Sequence, residues 1–484
     1  MTTTLLRIGG TTRPASNGAT FERRNPISGD VVSRAAAATP GDAEAAVDAA
    51  SAAFPVWSSF GPNRKRAVLL KAADLIQAKA TRFSELTALE TGATAGWGAF
   101  NAGLAAGMLR EAASLTTQVT GQVIPSDHPG SLAFSVRQPA GVVLGIAPWN
   151  AAVILAVRAM ATPLACGNTI VFKGSEHCPA THALIVETME EAGFPPGTIN
   201  LLSNDPANAP VLVAGLIAHP AVRRVNFTGS TKVGRIVAEL CGRHLKPVLL
   251  ELGGKAPLLI LDDADLDAAV DAAAFGAFMN QGQVCMSTER IVVDDAVADE
   301  FVARFARKAA TLSVGDPRAG NVVLGSLLSH PAVTHVQALV DDARTAGATV
   351  VLEPQVTHNT VVSPGIVDRV TPAMRLYAEE SFGPVVAVIR VKGDDAAVQV
   401  ANDSDYGLSA AVFSRNINRA LIVASKLSSG MCHINGATVH DEAQMPFGGT
   451  KASGIGRFGG TAGIAEFTDL RWITIATTPP HYPF

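Results

Sequence analysis

The chain has 484 residues, of which 48% are hydrophobic and 17% charged, and its formal net charge is −4. That length exceeds what one hydrophobic core supports and implies two or three domains, while the composition excludes extended disorder. The small negative charge gives no electrostatic basis for binding nucleic acid or an anionic membrane surface, so neither is expected as a partner.

The five cysteines are Cys166, Cys178, Cys241, Cys285 and Cys432. Their odd number, wide spacing and lack of a Cys-x-x-Cys pair suit a reducing compartment better than a disulfide framework or a zinc site, and no metal is expected. Met1-Thr-Thr-Thr-Leu-Leu-Arg7 lacks the basic region and apolar core of a secretion signal, so a cytoplasmic protein is the expectation.

In chain order, Asp42 to Phe54 reads as a helix, with Ala45, Ala46, Ala49 and Ala53 spaced along it and Asp42 and Glu44 near its start. Arg64 to Lys79 reads as a second helix. Pro139 to Val157 carries no charge and is nearly long enough to span a bilayer. Gly141, Gly145, Pro148 and Asn150 interrupt it and Arg158 ends it, so strand, turn and helix in a buried core are expected instead.

The runs Val142-Val-Leu144, Thr169-Ile-Val-Phe172, Arg224-Val-Asn-Phe227 and Pro257-Leu-Leu-Ile-Leu261 read as strands. Between and after them, Pro179 to Ala192 and Asp265 to Met279 read as helices. Strands are expected again at Arg290 to Val293, Thr349 to Leu352 and Pro384 to Ile389. Such alternation predicts an α/β architecture with largely parallel sheets in two blocks, and a ligand cleft between them. Gln118 to Gln138 and the tail after Glu466 fit neither block. The alternating Leu470-Arg-Trp-Ile-Thr-Ile475 suits an edge strand, paired either within the chain or with another subunit.

Three residues carry the chemistry. Cys285, in Gln281-Gly-Gln-Val-Cys-Met-Ser-Thr-Glu-Arg290, stands among polar residues with Gly282 before it. A thiol there is either a nucleophile or a buried structural cysteine. Glu251 lies between leucines, where a carboxyl resists ionisation and gains a useful basicity; the alternative is an ion pair with Lys255 or an arginine. Asn150, after the strand beginning at Val142, offers a neutral donor to a developing oxyanion, or serves as a turn residue.

Two segments suit a dinucleotide. Val225-Asn-Phe-Thr-Gly-Ser230, continuing Thr231-Lys-Val-Gly234, reads as strand, glycine turn and helix start, where free N–H groups attract phosphate. Val171-Phe-Lys-Gly-Ser-Glu176 also ends a strand. There Glu176 suits a ribose diol and opposes a 2′-phosphate, favouring NAD over NADP; a solvated loop is the alternative.

Phe227-Thr-Gly-Ser-Thr-Lys-Val-Gly234, Leu250-Glu-Leu-Gly-Gly-Lys255, Gly282-Gln-Val-Cys285, Glu379-Glu-Ser-Phe-Gly-Pro384 and Pro446-Phe-Gly-Gly449 follow one another in a recognisable order. In order and spacing the chain resembles the NAD(P)-dependent aldehyde dehydrogenase superfamily over essentially its whole length. The resemblance implies Cys285 as nucleophile, Glu251 as general base, and Asn150 with the Cys285 backbone N–H as oxyanion hole. It implies Lys173, Glu176 and Ser230 on the adenosine-pyrophosphate half of NAD and Glu380 and Phe382 on the nicotinamide half, with Trp149, Ser175 and Gly229 as further cofactor contacts. It further implies a Rossmann-type cofactor domain over 1–120 and 142–250, an α/β catalytic domain over 251–440, and a small β oligomerisation element over 121–141 and 462–484. Homodimers or homotetramers would follow. One departure is Phe458 after Gly454-Ile-Gly-Arg457, where many relatives carry a glutamate proposed to assist proton release.

Within the superfamily, the chain is most similar to the salicylaldehyde, benzaldehyde and vanillin dehydrogenase group, with the salicylaldehyde type nearest. Ala151 stands where relatives often carry a bulky ring, which widens the space beside Asn150. Arg158 stands where a large apolar residue is common. It suits a ring hydroxyl or phenolate, because a buried guanidinium needs a partner, or else a salt bridge to a neighbouring helix. Trp97, Met286 and Phe447 complete the expected aldehyde pocket, Trp97 being alternatively a core residue. Rival readings are a CoA-acylating dehydrogenase, a non-catalytic binding protein, and a cysteine hydrolase using His433 or His440.

Overall fold

The computed structural model describes residues 1–479 and 481–484; Pro480, inside the expected oligomerisation element, lies outside the described residues. Two large sheets dominate. The first contains, in spatial order, strands Gly454–Ile455, Val248–Glu251, Val222–Thr228, Val142–Ile146, Thr169–Lys173, Ile199–Leu202, Leu6–Ile8 and Thr11–Arg13. Its five central strands run parallel, while the two N-terminal strands and Gly454–Ile455 add antiparallel edges. The sheet is therefore mixed at its margins rather than uniformly parallel.

Burial on both faces explains the uninterrupted apolar runs that mark these strands. Val142, Leu144 and Ile146 face one core, while Val143 faces the other, as a two-residue period requires. Helices cover both faces. Pro40–Ser58 begins with a capping box in which Thr39 Oγ1 accepts from the Asp42 N–H and Asp42 accepts from the Thr39 N–H. Asp42 thus stays buried as a cap, which is the structural reason for an acid in that first turn. The other helices expected from the sequence are present as Pro62–Ala78, Pro179–Ala192 and Leu266–Phe278.

The second sheet runs Thr349–Leu352, Gly365–Asp368, Val385–Val391, Thr288–Asp294, Ala256–Ile260, Ser409–Phe413 and Met431–Ile434, parallel except for its first pair. A three-stranded sheet stands apart from both. In it Thr468–Ala476 pairs antiparallel with Ser131–Pro139 over nine residues, and Ser131–Pro139 pairs with Val123–Ile124. The alternating tail is thus an intrachain edge strand, its outer side unpaired among the described residues. Among the described residues, no helix is long and apolar enough to cross a membrane. Pro139 to Val157 resolves into a strand, a turn and the start of the Ala152–Ala165 helix.

The order of the first sheet reverses at Val142–Ile146. From there the chain moves outward through Thr169–Lys173 and Ile199–Leu202, then returns to the opposite side at Val222–Thr228. A crevice opens outside the carboxyl ends of parallel strands at such a reversal. Asn150, Glu176, Ser230 and Glu251 all lie at or just beyond those ends.

Candidate active site

Cys285 follows a backbone run in an uncommon conformation. Asn280, Gln281 and Gly282 all have positive φ, at 50°, 59° and 72°. Left-handed conformation costs a side-chain-bearing residue on the order of 1 kcal/mol, so Asn280 and Gln281 must be held by their surroundings. They are. The Gln281 amide donates to the Ser326 carbonyl at 3.1 Å and accepts from the Gly325 N–H at 2.9 Å. Gln283 does the same with Ser326 and Leu328. At Gly282 a Cβ would lie 2.1 Å from the Gly383 carbonyl oxygen, and at Gly254 one would lie 2.2 Å from that of Cys285. Both positions require glycine for close backbone approach as well as, at Gly282, for conformation.

Asn150 is tied to the same loop. Its side-chain amide donates to the Gln283 carbonyl at 2.9 Å. Its own carbonyl accepts from Trp97 Nε1 at 2.8 Å and from Asn280 Nδ2 at 3.1 Å. One amide hydrogen of Asn150 remains for another acceptor. Trp97, buried in the Ala95–Leu115 helix, therefore does two things: it fixes the asparagine loop and, with Phe100 stacked at 5.4 Å, forms an aromatic wall.

Glu251 is 1% exposed, and its Oε1 has no hydrogen-bond partner among the described residues. The ion pair with Lys255 is not formed, because Lys255 Nζ instead binds Glu289 Oε2 at 2.8 Å. Glu289 in turn accepts from the Ser381 and Phe382 N–H groups and from the Ser381 hydroxyl. Burial raises the affinity of Glu251 for its proton to about pKa 7, against partial opposition from the Cys285 thiol and Arg158. Burial first, then the neighbouring Glu251 carboxylate, push the Cys285 thiol well above its ordinary range. Thiol and carboxyl are thus electrostatically coupled, and a proton on one favours ionisation of the other.

A cavity of about 260 Å³ reaches Cys285. Of the residues expected around an aldehyde, Trp97, Ala151, Arg158, Met286 and Phe447 line it, together with Asn150 and Cys285. Phe100, Ile154, Leu155, Phe275, Met279, Val284, Val439, His440 and Asp441 also line it and went unrecognised in the sequence. For Ile154 and Leu155 a signal existed, since they share a helix face with Ala151 and Arg158 at spacings of three, four and seven. The Val439 to Asp441 segment comes from a loop and carries no periodic signal. His440 Nε2 bonds Glu442 at 3.0 Å, and His433 Nε2 has no hydrogen-bond partner among the described residues, so neither histidine of the cysteine hydrolase reading pairs with Cys285.

Arg158 is 6% exposed, but it is not the unpaired cation that motivated its sequence reading. It forms an ion pair with Asp441, in the loop after Met431–Ile434 rather than on a helix, and its guanidinium stacks over Phe447 at 4.0 Å. Phe458, the departure noted above, pairs with Phe447 through backbone hydrogen bonds and lies 5.9 Å from the same guanidinium.

A second, larger cavity of about 500 Å³ lies over the strand-order reversal. Trp149, Lys173, Ser175, Glu176, Gly229 and Ser230 line it, and Ala209, Val213, Val233 and Leu240 supply apolar walls. The Thr231–Arg243 helix opens there, its N-terminus capped by Ser230 Oγ. Burial is the largest single influence on Glu176 and opposes its ionisation, but the Lys173 ammonium 3.1 Å away, a backbone hydrogen bond and His177 together hold the carboxyl below its usual range. Apolar walls for a base, a carboxylate for a ribose diol and a helix N-terminus for phosphate together form a donor set that fits a dinucleotide.

Glu251, Glu380 and Phe382 line neither cavity. Phe382 meets Trp149 edge to face at 6.1 Å. Glu380 accepts from the Gly254 N–H at 2.9 Å, and burial pushes its carboxyl up to about 8. Glu251 and Gly254 belong to one segment and Glu380 and Phe382 to another, joined by the Glu380–Gly254 hydrogen bond, while Phe382 reaches Trp149.

The chain belongs to the aldehyde dehydrogenase family, whose model matches residues 13–473. It is 61% identical over 478 residues to vanillin dehydrogenase of Pseudomonas fluorescens, covering 99% of each protein. It is 50% identical over 482 residues to salicylaldehyde dehydrogenase of Pseudomonas sp. (strain C18), covering 99% of this chain and all of that one. The crystal structure of a salicylaldehyde dehydrogenase from Pseudomonas putida G7 complexed with salicylaldehyde superposes with a TM-score of 0.98 at 49% identity, over the whole of both chains. The vanillin enzyme shares more identity than the salicylaldehyde type that the sequence reading placed nearest.

Proposed function

We propose that this chain oxidises hydroxylated benzaldehydes of the salicylaldehyde or vanillin type to the carboxylic acids, with NAD as acceptor. The observation that carries the reading is a cavity with aromatic and aliphatic walls that ends on Cys285 and Asn150. An aromatic ring suits those walls, and its aldehyde carbon then lies at the sulfur.

Cys285 Sγ adds to the aldehyde carbon after its proton passes to Glu251. The free amide hydrogen of Asn150 and the Cys285 backbone N–H hold the oxygen as it becomes negative. When bound in the larger cavity, NAD supplies the acceptor for the hydride that leaves the adduct. Glu251, having released that proton to solvent, removes a proton from the water that attacks the Cys285 thioester; the C–S bond breaks, the Cys285 thiolate leaves and the acid departs. Lys173, Ser175, Glu176, Gly229 and Ser230 would hold the adenosine and pyrophosphate, with Trp149, Glu380 and Phe382 towards the nicotinamide.

We assign 1–120 and 142–250 to the cofactor domain, 251–440 to the catalytic domain, and 121–141 with 462–484 to subunit association in a cytoplasmic dimer or tetramer. The exposed Leu132, Leu470, Trp472 and Ile475 on the small sheet support the last of these.

Incubating the protein with NAD and a panel of benzaldehydes and aliphatic aldehydes tests the reading. NADH and the free acid should appear fastest with the aromatic members, and added CoA should not change the product. Preference for aliphatic aldehydes, or an acyl-CoA product, would overturn it. A second measurement concerns the cofactor. Glu176→Gln should raise the NADP-to-NAD ratio of kcat/KM by on the order of tenfold, because one like charge beside a 2′-phosphate is removed. An unchanged ratio would remove Glu176 from the ribose.

A further inference from the structure

The Arg158–Asp441 pair has a side that the ion pair leaves unused. Asp441 lies in the loop after Met431–Ile434 and its side chain is 7% exposed. Oδ2 accepts from Arg158 Nη2, whereas Oδ1 is buried and has no hydrogen-bond partner among the described residues. A buried carboxylate oxygen without a partner is costly, and such a group in a ligand cavity marks a place where the ligand supplies the donor. Both members of the pair line the cavity that holds Cys285 and Asn150.

Arg158 is immobilised from two directions, by its carboxylate partner and by Phe447 beneath it. The pair is neutral as a unit, and its spare capacity is that of an acceptor. A phenolate would meet the Asp441 charge, whereas a phenol hydroxyl can donate to it. An ether oxygen at the same ring position has no proton to give.

We propose that Asp441 selects the ring hydroxyl: its unpartnered Oδ1 accepts the O–H of a neutral phenol bound beside Cys285, while Arg158 holds the carboxylate in place. This rests on the aromatic-aldehyde reading above and names the group that recognises the substituent. It also changes the role first expected of Arg158, from direct ligand of a ring hydroxyl or phenolate to positioning residue.

The test compares kcat/KM for benzaldehyde, its ortho-, meta- and para-hydroxy derivatives and their methyl ethers, in the native protein and in Asp441→Asn. For the best hydroxylated isomer, the ratio to benzaldehyde should fall about 10- to 100-fold in Asp441→Asn, the range for a hydrogen bond to a charged acceptor. The native protein should prefer that phenol over its methyl ether, and the variant should lose the preference. If Asp441→Asn does not fold, as its melting curve would show, the paired replacement Asp441→Leu with Arg158→Met removes both charges together, and the same ratio should fall. A ratio that stays constant in the folded variant, or a native protein that uses ether and phenol equally, overturns the proposal. Failure of the native protein to oxidise benzaldehyde and every derivative sinks the underlying reading instead.

Discussion

Cys285→Ser should abolish aldehyde oxidation, with kcat falling by on the order of 10⁴-fold or more, as losses of a covalent nucleophile do. The site explains the size of the effect. Even the thiol is pushed up by burial and by Glu251, so ionisation is already demanding. A serine hydroxyl loses its proton far less readily, and Glu251 at about pKa 7 is too weak a base to take it. Oxygen is smaller than sulfur and introduces no clash, so the loop held by Gln281 and Gln283 should remain intact. NADH formation measures the rate, mass spectrometry the acyl adduct, and protein fluorescence the retained affinity for NAD. Turnover within about tenfold of the native protein would contradict every step proposed for this site.

Glu251→Gln should lower kcat by about 10²- to 10⁴-fold, the usual contribution of a positioned base. Its pH signature is more specific than its size. The carboxyl has been raised to about 7, so it is protonated and inactive as a base below that pH and ionised above it. Activity of the native protein should therefore rise with pH through about 7. That rising limb should vanish in Glu251→Gln. Single-turnover experiments divide its two roles. A burst of NADH matching the number of subunits, followed by a stalled thioester, places the main requirement at hydrolysis. Loss of the burst places it at activation of the thiol. A variant that keeps the acidic limb would transfer the titration to another group.

Much of the architecture was legible because burial on both faces leaves a simple mark. Strands such as Val142–Ile146 and Thr169–Lys173 have no polar face to interrupt them, so their apolar runs stand out. The same holds for Pro179–Ala192, whose proline start and glycine stop bound the helix at the residues where the structure places it. The antiparallel margins were not legible. Leu6–Ile8 and Gly454–Ile455 are too short to show a period, and they join the sheet only because distant strands offer open edges.

Arg158 shows the same division within the site. Its unusual place in an apolar helix was plain from the sequence, and so was the need for a compensating group. The identity of that group was not, because Asp441 lies 283 residues away in a loop. Trp97 and Asn150 are a similar case, each visible alone and joined only by a hydrogen bond between a helix and a strand-end turn.

Sequence by itself determined the alternating α/β plan and the presence of one thiol, one apolar carboxyl and one amide in recognisable frames, because local periodicity and residue chemistry need no partner to be read. The folded chain decided which groups share a cavity, which carboxylate remains unpaired, and how strongly burial shifts Glu251. Those properties depend on distance and on exclusion of water, and both arise only when segments hundreds of residues apart are packed against one another.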